Sequence, residues 1–269
     1  MNLDSKVIDL YKNGLSLSEI SRKYNCSRQS ITRYLIKYNE FNPENKIRQR
    51  TNIDKNQYKV LTKEMVYFLG LLWSDGFLSK TKNGGYTVGL KLLETDMDKI
   101  KFIFDKLGPY SYRKLNLEGR KEVAILAYHS KDFFNFLLKN DYDKKSKDSA
   151  DKILSIIPDS LKSYFFRGII DGDGYIGIRN DNTFSLVIAG SYNQSWKYLE
   201  DLFKKFKLKY TVKNIITKKG HRHSVISIFN FRDILIFLDY VYRVHDGIYY
   251  PRKFEKYLKI KNLMKKHYK

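Results

Sequence analysis

The first forty residues show apolar positions that recur at helical spacing, separated by short polar turns. Three such runs within 5–39 predict three short helices. Gly14 is expected to end the first helix, Ser16 or Ser18 to cap the second, and Ser27 to cap the third. The positions predicted to face inward are Val7, Ile8, Leu10, Tyr11, Leu17, Ile20, Tyr24, Ile31, Leu35 and Ile36.

From Leu61 onward, one order of elements occurs twice. Each copy begins with an apolar helix that ends in Asp-Gly, and then alternates strand pairs with helices. This order predicts an α+β fold of two αββαββα repeats, each an antiparallel sheet with helices on one face. The predicted domains are a helix-turn-helix module over 1–40, a basic linker over 41–60, a first repeat over 61–157 and a second repeat over 158–269.

The two helices that open the repeats carry glycine at matching places. Gly70 precedes Asp75 by five residues, and Gly168 precedes Asp173 by the same distance. Glycine inside a helix is unfavourable, so its repeated use predicts that the two helix backbones approach closely around a pseudo-two-fold axis. Asp75 and Asp173 would then meet at the floor of a cleft between two sheets.

A pair of carboxylates at two helix C-termini favours hard divalent cations. Metals held in this way can activate water and stabilise the leaving oxygen in phosphodiester hydrolysis. An EF-hand is disfavoured because Tyr175 stands where a ligand is needed, and the aspartic-protease pattern is absent. A single Asp-Gly can also be a hairpin turn, but the matched pair argues against that interpretation.

The net charge is +22, from 51 Lys and Arg residues against 29 Asp and Glu residues. Such an excess favours a polyanionic partner, of which nucleic acid is the commonest, although a generally basic protein is the alternative. Cys26 is the single cysteine, so an intrachain disulfide is excluded. No run reaches the roughly 18 apolar residues that span a membrane. We therefore expect a soluble, intracellular protein with no membrane partner.

The stretches FLGLLWSDG (68–76) and FRGIIDGDG (166–174) resemble the two motifs of a monomeric LAGLIDADG homing endonuclease. The resemblance covers about 61–269. It implies a monomer that hydrolyses both strands of a long, asymmetric double-stranded DNA target. The implied cofactor is Mg²⁺ or another divalent cation such as Mn²⁺, or Ca²⁺ in a non-cleaving complex. The implied metal-site residues are Asp75, Asp173, Gly76 and Gly174.

The first motif departs from the family pattern at one position. Trp73 stands where the family usually has an earlier acid, whereas the second motif keeps Asp171. Because that position is not the metal ligand in the family, the departure concerns local packing more than catalysis.

The resemblance also implies two catalytic lysines. YDKKSKDS (142–149) and IYYPRKFEKYL (248–258) resemble the family's lysine segments, which assigns the role to Lys145 and Lys253. These lysines would stabilise charge on the phosphate or polarise the attacking water. The alternative for each is a solvated surface charge.

Contacts to DNA are expected from both the helical module and the sheets. The module resembles the helix-turn-helix of resolvase- and invertase-like domains, in which the third helix enters the major groove. The outward faces of the sheets would form a saddle on DNA, as in the LAGLIDADG family. The predicted DNA-binding residues are Arg28, Gln29, Ser30, Arg33, Lys91, Arg113, Arg179, Lys213 and Arg222.

Two other functions remain open at this stage. One is a catalytically inactive DNA-binding regulator on the same fold, and the other is an RNA maturase that acts on intron RNA. The gene is expected to be intron-encoded or free-standing. An intein is not expected, because the chain starts at Met1 and its end, KKHYK, lacks a His-Asn pair.

Overall fold

A computed structural model describes the chain in six stretches, which are residues 3–13, 15–41, 58–82, 84–115, 122–178 and 183–267. The chain divides into two compact units, residues 1–49 and 50–269. Most of the predicted basic linker, at 42–57, lies outside the described residues, as does Gly14.

The smaller unit contains the three predicted helices, α1 (Lys6–Lys12), α2 (Leu17–Lys23) and α3 (Arg28–Lys37). Ser16 caps α2 through a reciprocal capping box with Glu19. The Ser27 side chain caps α3 by accepting a hydrogen bond from the backbone N–H of Ser30. Four apolar side chains form the buried centre of this unit, namely Val7, Ile20, Ile31 and Leu35.

The predicted inward position of Ile36 is wrong. Ile36 is 55% exposed, whereas Ile31 and Leu35 are fully buried. Residues four apart lie on one face of a helix, but the next residue is turned by about 100°. The core of this unit therefore contacts only the face of α3 that carries Ile31 and Leu35.

The larger unit follows the predicted order, and the predicted α+β class is confirmed. The first repeat runs through α4 (Lys63–Asp75), β1 (Gly76–Lys80), β2 (Tyr86–Leu93), α5 (Glu94–Leu107), β3 (Ser111–Leu115), β4 (Val123–Tyr128) and α6 (Lys131–Lys139). The second runs through α8 (Lys162–Asp173), β5 (Gly174–Ile178), β6 (Phe184–Ser191), α9 (Lys197–Lys205), β7 (Thr211–Ile216), β8 (Arg222–Ile228) and α10 (Phe231–Tyr242).

Two helices in this unit were not predicted as elements. The short helix α7 (Asp151–Ile156) lies between the repeats, and α11 (Pro251–His267) follows α10. A single 3-10 turn at Tyr142–Lys144 precedes α7. No described helix is both long and apolar enough to cross a lipid bilayer.

Each repeat contains one four-stranded antiparallel sheet, with strand orders β1-β2-β4-β3 and β5-β6-β8-β7. The registers agree between the repeats. Gly76 pairs with Leu90 in the first sheet, and Gly174 pairs with Ile188 in the second. Leu90 and Ile188 are therefore equivalent positions, which fixes the correspondence between the two halves.

The helices α4 and α8 pack against each other through their glycines. A Cβ atom added to Gly168 would lie 2.5 Å from the Tyr67 carbonyl oxygen and 2.6 Å from the Leu71 nitrogen. A Cβ atom added to Gly70 would collide with the carbonyl oxygen of Phe165. The two backbones thus touch at the positions that the glycine pattern predicts, which carries the C-terminal ends of both helices to one place.

Candidate functional site

Asp75 and Asp173 are the last residues of α4 and α8, and in each case glycine begins the next strand without a loop. A Cβ atom added to Gly172 would lie 2.7 Å from Oδ2 of Asp75. The end of α8 is therefore in contact with the carboxylate at the end of α4. Two acids 98 residues apart in the sequence are brought into one site.

Both carboxylates are harder to ionise here than in water. Burial raises the pKa of Asp75, while the charges of Lys145 and Lys253 oppose this effect. The pKa of Asp173 is raised to about 7, first by burial and then by the negative charge of Asp75. Asp173 is exposed at the end of α8, but the protein around its carboxyl group removes part of the water that would favour ionisation. A cation bound at the two acids would favour their ionised forms.

Lys145 lies against the C-terminal turn of α4. Its Nζ donates hydrogen bonds to the carbonyl oxygens of Leu72 (3.0 Å), Gly76 (3.1 Å) and Ser74 (3.3 Å). Burial lowers the pKa of Lys145 to about 8, although the charges of Asp173 and Asp75 act in the opposite direction. The ammonium group is thus placed beside both acids, and its proton is held less tightly than in water.

Lys253, near the start of α11, has the equivalent position in the second half. It is 5% exposed, and its Nζ donates to the carbonyl oxygen of Ile170 at 3.4 Å. Ile170 precedes Asp173 by three residues, just as Leu72 precedes Asp75. Burial, followed by the positive charge of Arg252, lowers the pKa of Lys253 to about 8. The structure brings both predicted lysines to the ends of the two motif helices.

The departure at Trp73 changes the packing behind the site. In the first half, the Trp73 ring meets Tyr142 edge to face at a centroid distance of 5.3 Å, and the Tyr142 hydroxyl donates to the Leu72 carbonyl oxygen. In the second half, the equivalent Asp171 accepts a hydrogen bond from the backbone N–H of Tyr250 at 2.8 Å. The same two positions therefore use an aromatic contact in one repeat and a hydrogen bond in the other.

Two residues near the site were not found from the sequence. Asp96 and Gln194 each lie six residues after the equivalent strand positions Leu90 and Ile188. Gln194 Nε2 donates to the Lys145 carbonyl oxygen at 2.8 Å, and the charge of Asp96 raises the pKa of Asp75. Aligning the two repeats on their strands would have indicated these positions as a pair.

The residues present fit a divalent cation. Within the described part of the chain, no group of three or more His, Cys, Asp or Glu side chains is arranged to hold a metal. Mg²⁺ needs less than that, since it is often bound by one or two carboxylates together with phosphate oxygens and water. Asp75 and Asp173 are hard oxygen donors at the negative ends of two helices. The Gly76 carbonyl oxygen accepts the Lys145 hydrogen bond, and Gly174 is buried.

Three of the predicted DNA-binding residues lie on outward positions of the strands, and two of these three, Arg113 and Lys213, are equivalent. Lys91 and Arg113 both pair with Ile125 and therefore flank it on one face of the first sheet. Lys213 pairs with Val225 at the equivalent place in the second sheet. All three basic residues are exposed. Lys91 and Arg113 lie on the face opposite the buried Leu90 and Leu126, and Lys213 lies on the face opposite the buried Ile188 and Ile226. Each sheet therefore presents positive charge away from its helices.

The remaining predicted contacts lie elsewhere. Arg222, at the first position of β8, is exposed, and its guanidinium lies 5.6 Å from the centroid of the Tyr192 ring. Arg179 lies outside the described residues. In the smaller unit, the predicted contacts lie in the first two turns of α3, where Arg28, Gln29 and Arg33 are exposed and Ser30 is half-buried.

One family model and several solved structures are similar to parts of this chain. Residues 6–52 match the family model of a helix-turn-helix domain. The comparison with curated proteins finds no match. Among solved structures, the chain is similar to variants of the homing endonuclease I-DmoI, with 15% identity, 68% of this chain and 97% of that chain covered, and a TM-score of 0.46.

Two further solved structures are similar to the chain. The homing endonuclease I-WcaI bound to its DNA recognition sequence has 18% identity, covers 78% of this chain and 88% of its own, and has a TM-score of 0.46. Full-length DUF199/WhiA from Thermatoga maritima has 17% identity, covers 79% and 65%, and has a TM-score of 0.47. The solved structures thus include LAGLIDADG homing endonucleases, the family that the two motifs resemble.

Proposed function

We propose that this chain is a divalent-metal-dependent DNA endonuclease of the homing type, which hydrolyses both strands of a long, asymmetric target. One observation carries the proposal. Asp75 and Asp173 end two helices that touch through glycines, and the half-buried Lys145 and the buried Lys253 lie beside the same two helix ends. Acids in this arrangement can hold a divalent cation, and the lysines beside them can assist the hydrolysis of a phosphodiester bond.

The side chains of the site divide the chemistry between them. Mg²⁺, when bound, would supply positive charge to the scissile phosphate and lower the pKa of the attacking water. Asp75 and Asp173 would hold the cation. Lys145 and Lys253, with pKa values lowered to about 8, can each exist in either protonation state near neutral pH. The protonated form stabilises charge on the phosphate, and the neutral form accepts a proton from water.

Recognition would use two surfaces. The outward face of the first sheet carries Lys91 and Arg113, and that of the second sheet carries Lys213. These residues would contact bases and phosphates in the major groove. The exposed residues of α3 would read a neighbouring stretch of DNA. Because the two repeats differ in sequence, the proposed target is not a palindrome. A single chain has both halves and can act as a monomer.

A DNA-binding regulator without nuclease activity is the second candidate, and the helix-turn-helix match of residues 6–52 is the observation that favours it. A regulator has no use for two acids and two lysines with lowered pKa values at one point. The nuclease therefore accounts for more of the described structure.

The experiment exposes the protein to a library of random 40-bp duplexes and to the genomic DNA that flanks its own gene, with Mg²⁺, and sequences the ends that form. The nuclease proposal expects defined cuts in both strands by wild type, and none by Asp173→Asn. Tight binding of selected duplexes without any cut would favour the regulator and overturn the proposal.

A further inference from the structure

An ion pair joins the two repeats beside the proposed active site. Asp96 is the third residue of α5, and Arg252 is the second residue of α11. Arg252 Nε donates to Asp96 Oδ1 at 2.9 Å, and Arg252 Nη2 donates to Asp96 Oδ2 at 2.9 Å. Two parallel hydrogen bonds of this kind fix the plane of a guanidinium as well as its position.

The pair leaves one edge of the guanidinium available. Arginine has five N–H donors, and Asp96 accepts from two of them. The Arg252 side chain is 50% exposed, whereas that of Asp96 is 11% exposed. Among the described residues, no acceptor is bonded to Nη1 of Arg252. The carboxylate is therefore covered by protein, while a donor edge of the arginine faces water.

The charge of Arg252 affects the pKa values of two groups in the site. It directly precedes Lys253 in the chain. Its positive charge lowers the pKa of Lys253 and also lowers the pKa of Asp75. The guanidinium lies 5.4 Å from the centroid of the Tyr250 ring, which limits its movement on that side. An anion close to Asp75 would therefore be attracted by the Arg252 charge.

The first half of the site has no such arginine. Lys144 is the position equivalent to Arg252, because Lys145 corresponds to Lys253. Its Nζ lies 3.9 Å from Asp141 and 3.8 Å from Asp148, and both acids are close to it in sequence on the surface. Gln194 takes the place of Asp96 and donates to a backbone carbonyl instead. In the described site, the two halves therefore differ, because only the second half contributes a guanidinium whose orientation is fixed by a carboxylate.

We propose that Arg252 binds a DNA phosphate at the second half of the site, that Asp96 acts as the positioning residue for it, and that the two strands are consequently cut at different rates. The proposal rests on the proposed nuclease function for its kinetic part only. The planar donor edge of arginine matches the geometry of two phosphate oxygens. Asp96 holds that edge in place before DNA arrives, so less side-chain entropy is lost on binding.

The first experiment measures DNA binding without divalent ions. The probe is a duplex selected from a random library by its tight binding to wild type in EDTA, and its Kd is measured over a series of NaCl concentrations. Arg252→Ala should reduce the slope of log Kd against log salt by about 0.9, the value for one lost phosphate contact. Lys144→Ala removes the same charge from the equivalent position and should leave the slope as in wild type.

The second experiment measures nicking of each labelled strand in a single turnover with Mg²⁺. Arg252→Ala should slow one strand by about tenfold and the other much less, as expected for the loss of about 1.4 kcal/mol. Asp96→Asn should slow the same strand without reducing the salt slope, because the arginine charge remains. Arg252→Lys should not restore the rate, since lysine lacks the planar edge.

The competing explanation is that the ion pair of Asp96 and Arg252 only stabilises the contact between the two repeats. The experiments distinguish this role from phosphate binding. The double variant Asp96→Asn/Arg252→Gln keeps hydrogen bonding between the two positions without charge, so it controls for folding. If Arg252→Ala lowers the thermal midpoint and slows both strands equally, with an unchanged salt slope, the phosphate-binding role is wrong. If wild type cuts no selected duplex, the nuclease function fails, while the salt slope still decides whether Arg252 binds phosphate.

Discussion

At the scale of the residue, Asp171 shows how a carboxylate can be kept in the core without a cation bonded to it. It is fully buried and accepts hydrogen bonds from the hydroxyls of Tyr67 (2.7 Å) and Tyr242 (2.6 Å) and from the backbone N–H of Tyr250. Burial raises the pKa of Asp171 to about 6, and the three donors oppose that rise. Because Tyr67 belongs to α4, this carboxylate also joins the two repeats.

Removal of one of these donors should destabilise the fold. Tyr242→Phe deletes the shortest hydrogen bond to Asp171, and bonds to charged groups contribute about 1.5–3 kcal/mol. We expect the free energy of unfolding in urea to fall by that amount. Tyr240→Phe is the matched control, since Tyr240 lies in the same helix and its hydroxyl has no hydrogen bond among the described residues. Equal losses in the two variants would contradict the role of Asp171.

The raised pKa of Asp173 predicts a pH-dependent stability. The group holds its proton up to about pH 7 in the folded chain, but only to about 3.8 when unfolded. The folded state therefore binds more protons between these values, and stability falls as the pH rises from about 4 to about 7. Asp173→Asn lacks this loss, so its thermal midpoint should exceed that of wild type at pH 8 in metal-free buffer and approach it at pH 4.

The control variant is Asp159→Asn, because ionisation of Asp159 affects the stability of the fold in the opposite direction. The hydrogen bond from Lys162 lowers the pKa of Asp159, so its ionised form favours the folded state above its usual pKa. Asp159→Asn should gain no stability at pH 8. A midpoint for Asp173→Asn that follows wild type at every pH would show that Asp173 carries no such cost.

At the scale of the element, the contact between α4 and α8 determines whether the site exists. Both helices bury most of their residues, which in α8 include the charged Arg167 and Asp171. Gly70 and Gly168 let the backbones touch, and the helices end together on Asp75 and Asp173. Any change that separates these helices should therefore reduce both stability and metal binding.

Gly168→Ala tests this contact. Its new Cβ atom would meet backbone atoms of α4, which cannot rotate away, so we expect a loss of about 3 kcal/mol or more in the free energy of unfolding. In Gly85→Ala the new atom would instead meet the side-chain oxygen of Thr81, which can move, and the cost should be small. Comparable stabilities of the two variants would contradict the close approach.

Elements and long-range partners were predictable from the sequence to different degrees. Periodicity and Asp-Gly signals predict the strands and helices of both repeats, because these follow from local patterns of apolar residues. The buried Arg167 was not predictable as a core residue, since its partners are the carbonyl oxygens of Val241 and Ile248 and the carboxylate of Asp246. Those atoms are more than seventy residues away in the chain, and only the tertiary fold brings them together.

The helix α11 was missed for a related reason. Its 17 residues include many lysines, and the amphipathic pattern is weak. Its buried side, with Phe254, Tyr257 and Ile260, packs into a core that is built by the preceding elements. Lys253 itself was predicted through a family resemblance rather than through periodicity, as was Lys145.

At the scale of the whole molecule, a net charge of +22 predicts binding to DNA that depends strongly on salt. The smaller unit should supply part of that affinity and none of the chemistry. Arg28→Ala combined with Arg33→Ala should weaken Kd and reduce the salt slope by about 1.8, if each arginine contacts one phosphate. The single-turnover rate at saturating protein should not change.

Lys12→Ala is the control for the charge of this unit, because Lys12 lies in α1 and pairs with Glu40 at 2.8 Å. It should leave the salt slope nearly unchanged. An equal effect of the two changes would mean that the unit attracts DNA through its overall charge and not through α3.

The role of the two acids is tested by comparing wild type with Asp75→Asn and Asp173→Asn on one duplex, with strand cleavage and DNA binding measured in parallel. Wild type should cut both strands only when Mg²⁺ is added. Each variant should bind the duplex in EDTA as wild type does but cut it at least about a hundredfold more slowly. Cleavage at the wild-type rate by either variant would contradict the proposed role of Asp75 and Asp173 as metal ligands.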